Sequence, residues 1–142
     1  MRLVVDTSVM VAAIRSDTGA SRYLLVAALE DRLTMLVSVP LLTEYQAVMS
    51  RPEHLAASRL SRSDVEALLD AVAAVSEPVL LDFLWRPMLP DPDDDMVLET
   101  GVNGQADAIV TFNRRHFVPA TRRFGIDVLL PADAVTRLEE RS

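Results

Sequence analysis

The chain has 142 residues, half of them apolar, a formal net charge of −7 and no cysteine. That length closes around one core with ample apolar material, and the missing thiols exclude disulfides, cysteine nucleophiles and thiolate metal sites. The acidic balance argues against a general nucleic-acid coat, which carries a basic surface, but leaves room for carboxylates gathered around metal. No apolar run reaches the ~20 residues of a membrane span. Asp6 arrives too early for a signal-peptide apolar region, so a soluble, cytoplasmic protein is expected. Every basic residue is Arg, for which codon bias is sufficient explanation.

Residues 2–6 form a short branched apolar run ending in an acid, the pattern of a buried parallel strand whose last side chain emerges at the sheet edge. Residues 17–21 offer caps for a helix over 19–30, in which Tyr23, Leu24, Ala27 and Ala28 recur at helical spacing. A second strand is predicted over 34–39. Pro40 then opens a helix to about 49, and Arg51-Pro52 breaks it. Ser61 to Asp64 caps a helix with Val65, Leu68, Leu69, Val72 and Ala73 on one stripe. Residues 79–81 read as a weak third strand, and the proline-punctuated segment 87–92 reads as loop. A helix over 93–103 starts with acids suited to its positive end. Residues 108–111 form a fourth strand, 114–117 a short turn, 126–130 a fifth strand, and Pro131 opens a last helix to about 140.

Strands separated by helices predict an α/β fold whose central parallel sheet, of four to five strands, is covered on both faces. The site of such a sheet lies beyond the carboxyl ends of its strands, near the switch in strand order. Acids collect there. Asp6 ends the first strand, Glu44 sits one turn into the helix after the second, and Asp91, Asp93, Asp94 and Asp95 surround the start of the helix before the fourth. Each has a plain alternative: Asp6 caps the next helix, Glu44 is solvated, and the acidic run complements the helix dipole. Carboxylates from three segments on one rim would repel each other unless a cation neutralised them, and hard oxygen ligands suit Mg²⁺ or Mn²⁺. Asp94 shares a helical face with Val97, Leu98 and Gly101 and should look into the sheet end. Asp95 is the alternate, and Asp91 is better placed to cap.

The stretches VVDTSVMVAAI (4–14), GASRYLL (19–25), SVPLLTEYQAVMSRP (38–52), LWRPMLPDPDDDMVLE (84–99) and ADAIVTFNRRHF (106–117) resemble, in order, the PIN-domain nucleases. Within that family they are similar to the VapC-like toxins of toxin–antitoxin systems. The resemblance implies one three-layer α/β/α domain over 1–142, cleaving single-stranded RNA with Mg²⁺ or Mn²⁺. By position, Asp6, Glu44 and Asp94 match its catalytic, metal-binding acids, with Asp95 a further candidate ligand. Asn113 stands where a fourth acid is common and His116 where another Asp often occurs. An amide still supplies an oxygen ligand but no charge, so weaker metal affinity is implied.

In that scheme Ser8, Thr111 and Asp91 orient ligands or water, and Arg114 and Arg115 either contact RNA phosphates or are solvated surface. A lone His is more often structural, which leaves His116 outside the catalytic set. The resemblance also implies an antitoxin partner, received on an apolar surface around residues 20–29 and 41–60, where two copies of the chain could instead pair as a homodimer. The competing possibility is a degenerate PIN-like domain that binds RNA or a protein without cutting. A phosphate-receiver domain needs a lysine late in the fold, and the chain has none. Nucleotide-binding folds need a glycine-rich phosphate cradle that is also missing.

Overall fold

The computed structural model describes residues 1–82 and 92–141. Its sheet consists of β1 (Arg2–Val5), β2 (Thr34–Val37), β3 (Glu77–Pro78), β4 (Ala108–Val110) and β5 (Asp127–Leu129). These strands are all parallel, in the spatial order β3-β2-β1-β4-β5. β1 is central because Leu3, Val4 and Val5 are buried on both of its faces, which only a strand covered twice requires. It pairs Leu3 with Met35 on one side and with Ala108 on the other.

The helices are α1 (Thr7–Arg15), α2 (Ala20–Leu29), α3 (Val39–Met49), α4 (Pro52–Ser58), α5 (Arg62–Val75), α6 (Pro92–Asn103), α7 (Val118–Phe124) and α8 (Pro131–Glu140), with a 3₁₀ turn over Arg114–Phe117. On one side α1, α2, α3, α5 and α8 pack among themselves, with α4 against α1. On the other, α6 lies on β1, β2 and β4, and α7 on β5. The result is a three-layer α/β/α domain. The chain moves from β1 outward through β2 to β3, then returns to the far side of β1 as β4. The switch in strand order therefore falls between β1 and β4, whose carboxyl ends are followed by Asp6 and Thr111.

α6 is drawn to this place by its apolar stripe, Val97 and Leu98, and by a buried pairing of Thr100 Oγ1 with Ser38 Oγ at 2.8 Å. Just past its end, Gly104 is required by space. A Cβ there would stand 2.9 Å from Leu36 Cδ1, Val79 Cγ2 and the Thr100 carbonyl oxygen.

Some elements depart from the sequence-based expectation. The third strand lies at Glu77–Pro78, just before the expected 79–81; it is a sheet edge, where proline is tolerated, and Leu80 is 81% exposed. α1 follows β1 without a loop, because Val9, Met10, Ala13 and Ile14 make a buried stripe. α4 restarts at Pro52, where proline suits the first helical turn. α7 closes at Gly125, whose φ of 69° is left-handed backbone that glycine adopts without strain. Within the expected partner-binding surface around 20–29 and 41–60, Leu24, Leu25, Ala27, Ala28, Leu41, Tyr45 and Met49 are buried in the chain's own core, which leaves their exposed neighbours to any partner. The expected loop over 87–92 lies outside the described residues except for Pro92, which begins α6.

Candidate active site

Asp6 holds the backbone position of an N-cap to α1, yet its carboxylate makes no capping bond. Instead Oδ2 accepts hydrogen bonds from Thr111 Oγ1 at 2.7 Å and Ser8 Oγ at 3.1 Å. The Thr111 hydroxyl in turn accepts from the Asn113 backbone N–H at 2.9 Å. Asp6 and Thr111 are both buried, so this relay fixes the acid in one rotamer at the switch point. Among the described residues nothing hydrogen-bonds Oδ1 of Asp6, and that oxygen remains open to a cation.

α3 contributes from the other side of the switch. Leu41, Tyr45 and Met49 form its inward stripe, and the Tyr45 hydroxyl donates to the Val5 carbonyl immediately before Asp6. Burial, and secondarily the negative charge of Asp6, push the Tyr45 phenol far above its ordinary value. Glu44 and Val48, one helical turn apart beside that stripe, border an open cleft of about 360 Å³. The same cleft is lined by Asp6, Asp94 and Asn113. Helix α6 presents Asp94, 7% exposed, from its first turn, where the positive end of the helix dipole favours an acid. The Nδ1 of His116 lies 3.1 Å from Asp94 Oδ2.

Two lining residues were not expected from the sequence, Arg51 and His54. Arg51 caps α4 by its backbone, and His54 stands in the first turn of that helix. Arg15 Nη1 lies 3.3 Å from His54 Nδ1. A guanidinium only donates, so Nδ1 is the acceptor in this contact. The signal available in the sequence was weak: Arg51-Pro52 reads only as a helix break. Both histidines of the chain thus adjoin the carboxylates, one lining the cleft and the other bonded to Asp94.

Of the other sequence-based candidates, Ser8 and Thr111 bond Asp6 as described. Asp95 is buried but does not line the cleft. Asp91 lies outside the described residues. Arg114 and Arg115 border a separate groove beside α7. Among the described residues no three His, Cys, Asp or Glu side chains form a ready-made cage for a metal ion. The donors that line the cleft, three carboxylates and one amide, fit a hard cation such as Mg²⁺. That ion keeps several waters and takes only one or two carboxylates from a protein.

A PIN domain family model matches residues 2–115. The chain belongs to the PIN domain family. Its fold is also that of a chain in the crystal structure of VapBC2 from Rickettsia felis, bound to a DNA fragment from their promoter. The TM-score is 0.58 at 15% identity, over 90% of this chain and 97% of that one. No curated protein matches the sequence. In this PIN domain the sheet order explains the cleft: segments remote in sequence, around residues 6, 44, 94 and 113, converge where β1 and β4 part. No helix among the described residues is long and apolar enough to cross a membrane.

Proposed function

We propose that this PIN domain is a divalent-metal-dependent endoribonuclease and the toxin of a toxin–antitoxin pair, held silent by a protein antitoxin. The observation that carries the nuclease reading is the convergence of Asp6, Glu44 and Asp94 on one cleft with Asn113. PIN domains are in general nucleases that use divalent metal, which supports the same chemistry here. Asp6 and Asp94 would hold the ion, Glu44 directly or through water, and Asn113 would add a neutral oxygen; Asp95 is a less direct candidate. When bound, Mg²⁺ or Mn²⁺ supplies an activated water and stabilises charge on the phosphate.

The chain's own residues do the rest. Thr111 and Ser8 hold Asp6 in its rotamer, and His116 steadies Asp94. Arg51, exposed at the cleft, supplies a positive charge to pair with a substrate phosphate. His54, which lines the cleft beside it, can hydrogen-bond substrate. Arg114 and Arg115 are candidate contacts to RNA phosphates outside the cleft.

Likeness in fold to a chain of a VapBC2 structure supports the toxin reading. An apolar groove of about 360 Å³ near the same end of the sheet, lined by Ala12, Ala20, Leu130 and Pro131 and edged by the half-exposed Phe112, offers contact area for an antitoxin. A second copy of the chain is the competing occupant, and co-purification with the product of the neighbouring gene separates the two. The alternative of a degenerate domain that binds without cutting is favoured by Asn113 standing in place of an acid.

The test is cleavage of a mixed single-stranded RNA pool with Mn²⁺. The wild-type chain should cut, and Asp6→Asn should not while keeping its fold by circular dichroism. Undiminished cleavage by Asp6→Asn would sink the assignment of the site; RNA binding without cleavage by the wild type would establish the degenerate alternative.

A further inference from the structure

Residues 111–126 contain four of the chain's fourteen arginines and no acid, in a protein of net charge −7. Three of them, Arg114, Arg115 and Arg122, come from the 3₁₀ turn and from α7 and line one groove of about 470 Å³. All three are exposed. Among the described residues none of them forms an ion pair or side-chain hydrogen bond, whereas Arg2, Arg22, Arg32 and Arg137 are each matched with an acid. The groove has an apolar floor of Val118 and Val128, with the Thr121 hydroxyl at its side. It begins one residue from the cleft, because Asn113 borders the carboxylates and Arg114 borders the arginines.

We infer that this groove is a second binding site, which holds the sugar–phosphate backbone of the RNA strand flanking the nucleotide in the carboxylate cleft. The inference rests on the nuclease reading for the identity of the strand. Three carboxylates against one arginine leave the cleft's own lining net negative toward a polyanion, and a neighbouring cationic groove offsets that repulsion. Phosphate contacts of this kind position a strand and carry no sequence information. Arg122 is the new member: α7 brings it to the same groove as Arg114 and Arg115 although six residues separate it from Arg115. The apolar floor suits the face of a base or ribose, and guanidinium groups stack on bases as well as pair with phosphates. An acidic peptide would also be drawn to the charge. Asn113 of the cleft and Arg114 of the groove are chain neighbours, and that closeness favours the strand that the cleft would cut.

Each single-strand phosphate neutralised steepens the dependence of log affinity on log salt by about 0.7, so three arginines should account for a slope of about 2. The experiment measures binding of a labelled, mixed-sequence single-stranded RNA of about twenty nucleotides across a salt series, using the cleavage-blocked Asp6→Asn chain. R114A/R115A/R122A in that background should bind at least tenfold more weakly at low salt, with a slope reduced by about 2. R62A, an exposed arginine on α5 remote from the groove, should match its parent. The single charge reversal R122E should act in the same direction, and circular dichroism shows which variants are folded.

With Asp6 restored, the triple variant should lose cleavage of the long RNA while retaining cleavage of a dinucleotide. An unchanged slope and affinity in folded groove variants overturns the inference and leaves the nuclease reading intact. Groove-dependent binding by a wild-type chain that never cuts supports the groove while removing the nuclease reading. Tighter groove-dependent binding of polyglutamate than of RNA assigns the groove to an acidic protein and also overturns the inference.

Discussion

Thr111→Val removes the shortest of the hydrogen bonds to the Asp6 carboxylate while nearly preserving side-chain volume. The bond is 2.7 Å long and the threonine is fully buried, so water cannot replace the lost donor. Hydrogen bonds to charged groups contribute about 1.5–3 kcal/mol, more than neutral ones. The Asn113 N–H also loses its acceptor, but Asn113 is exposed and water takes over at little cost. The expected destabilisation is therefore about 2 kcal/mol at neutral pH, and at roughly 3 °C per kcal/mol for a domain of this size the melting temperature should fall by about 6 °C. Thr111→Ser is the control, since it keeps the hydroxyl and gives up one methyl group, worth about 0.8 kcal/mol. Urea denaturation of the metal-free chains measures both. If Val costs no more than Ser, the Thr111–Asp6 bond contributes nothing and the relay at the switch point is wrong.

Tyr45 should show itself at alkaline pH. Its phenol is neutral in the folded chain far above its ordinary value of about 10 and ionises freely once unfolded. Above pH 10 the unfolded state therefore binds fewer protons, and stability should fall with rising pH by up to about 1.4 kcal/mol per unit. Tyr45→Phe should flatten that fall; an equal slope in the mutant would show that Tyr45 is not the group responsible. Gly104→Ala forces a methyl group to within 2.9 Å of Leu36, Val79 and a backbone carbonyl. A loss of about 1–3 kcal/mol is expected from overpacking, and a neutral or stabilising effect in thermal melts would contradict the packing described between α6 and the sheet.

Much of this fold was legible in the residues because its signals are local. Leu3-Val4-Val5 and Ala108-Ile109-Val110 are continuous apolar runs that only a doubly covered strand uses, and Ser61 with Asp64 forms the capping box that their spacing announces. The Asp94 face was legible too, since Val97 and Leu98 repeat at helical spacing and are buried with it. Short elements were not. α7 has seven residues and one buried side chain, too few for a period to show, and a two-residue edge strand such as β3 has no pattern of its own.

At the site, the end of the first strand pointed to Asp6, the position one turn past the second strand to Glu44, and the helical stripe to Asp94, whereas Arg51, His54 and Arg122 owe their places to how α4 and α7 pack. Packing of short helices is a tertiary outcome that no local spacing encodes. The Asp6 side chain illustrates the limit in the other direction. A cap was a sound local reading, and a threonine 105 residues away takes the carboxylate instead.

The most direct test of the carboxylate cleft is a calorimetric titration of Mn²⁺ into the chain and into Asp6→Asn. The wild type should bind saturably, and the variant, which keeps the hydrogen-bonding shape but not the charge, should bind at least tenfold more weakly, a difference of about 1.4 kcal/mol. Equal affinities in the two proteins, or no binding by the wild type, would contradict the role given to Asp6 and its partners.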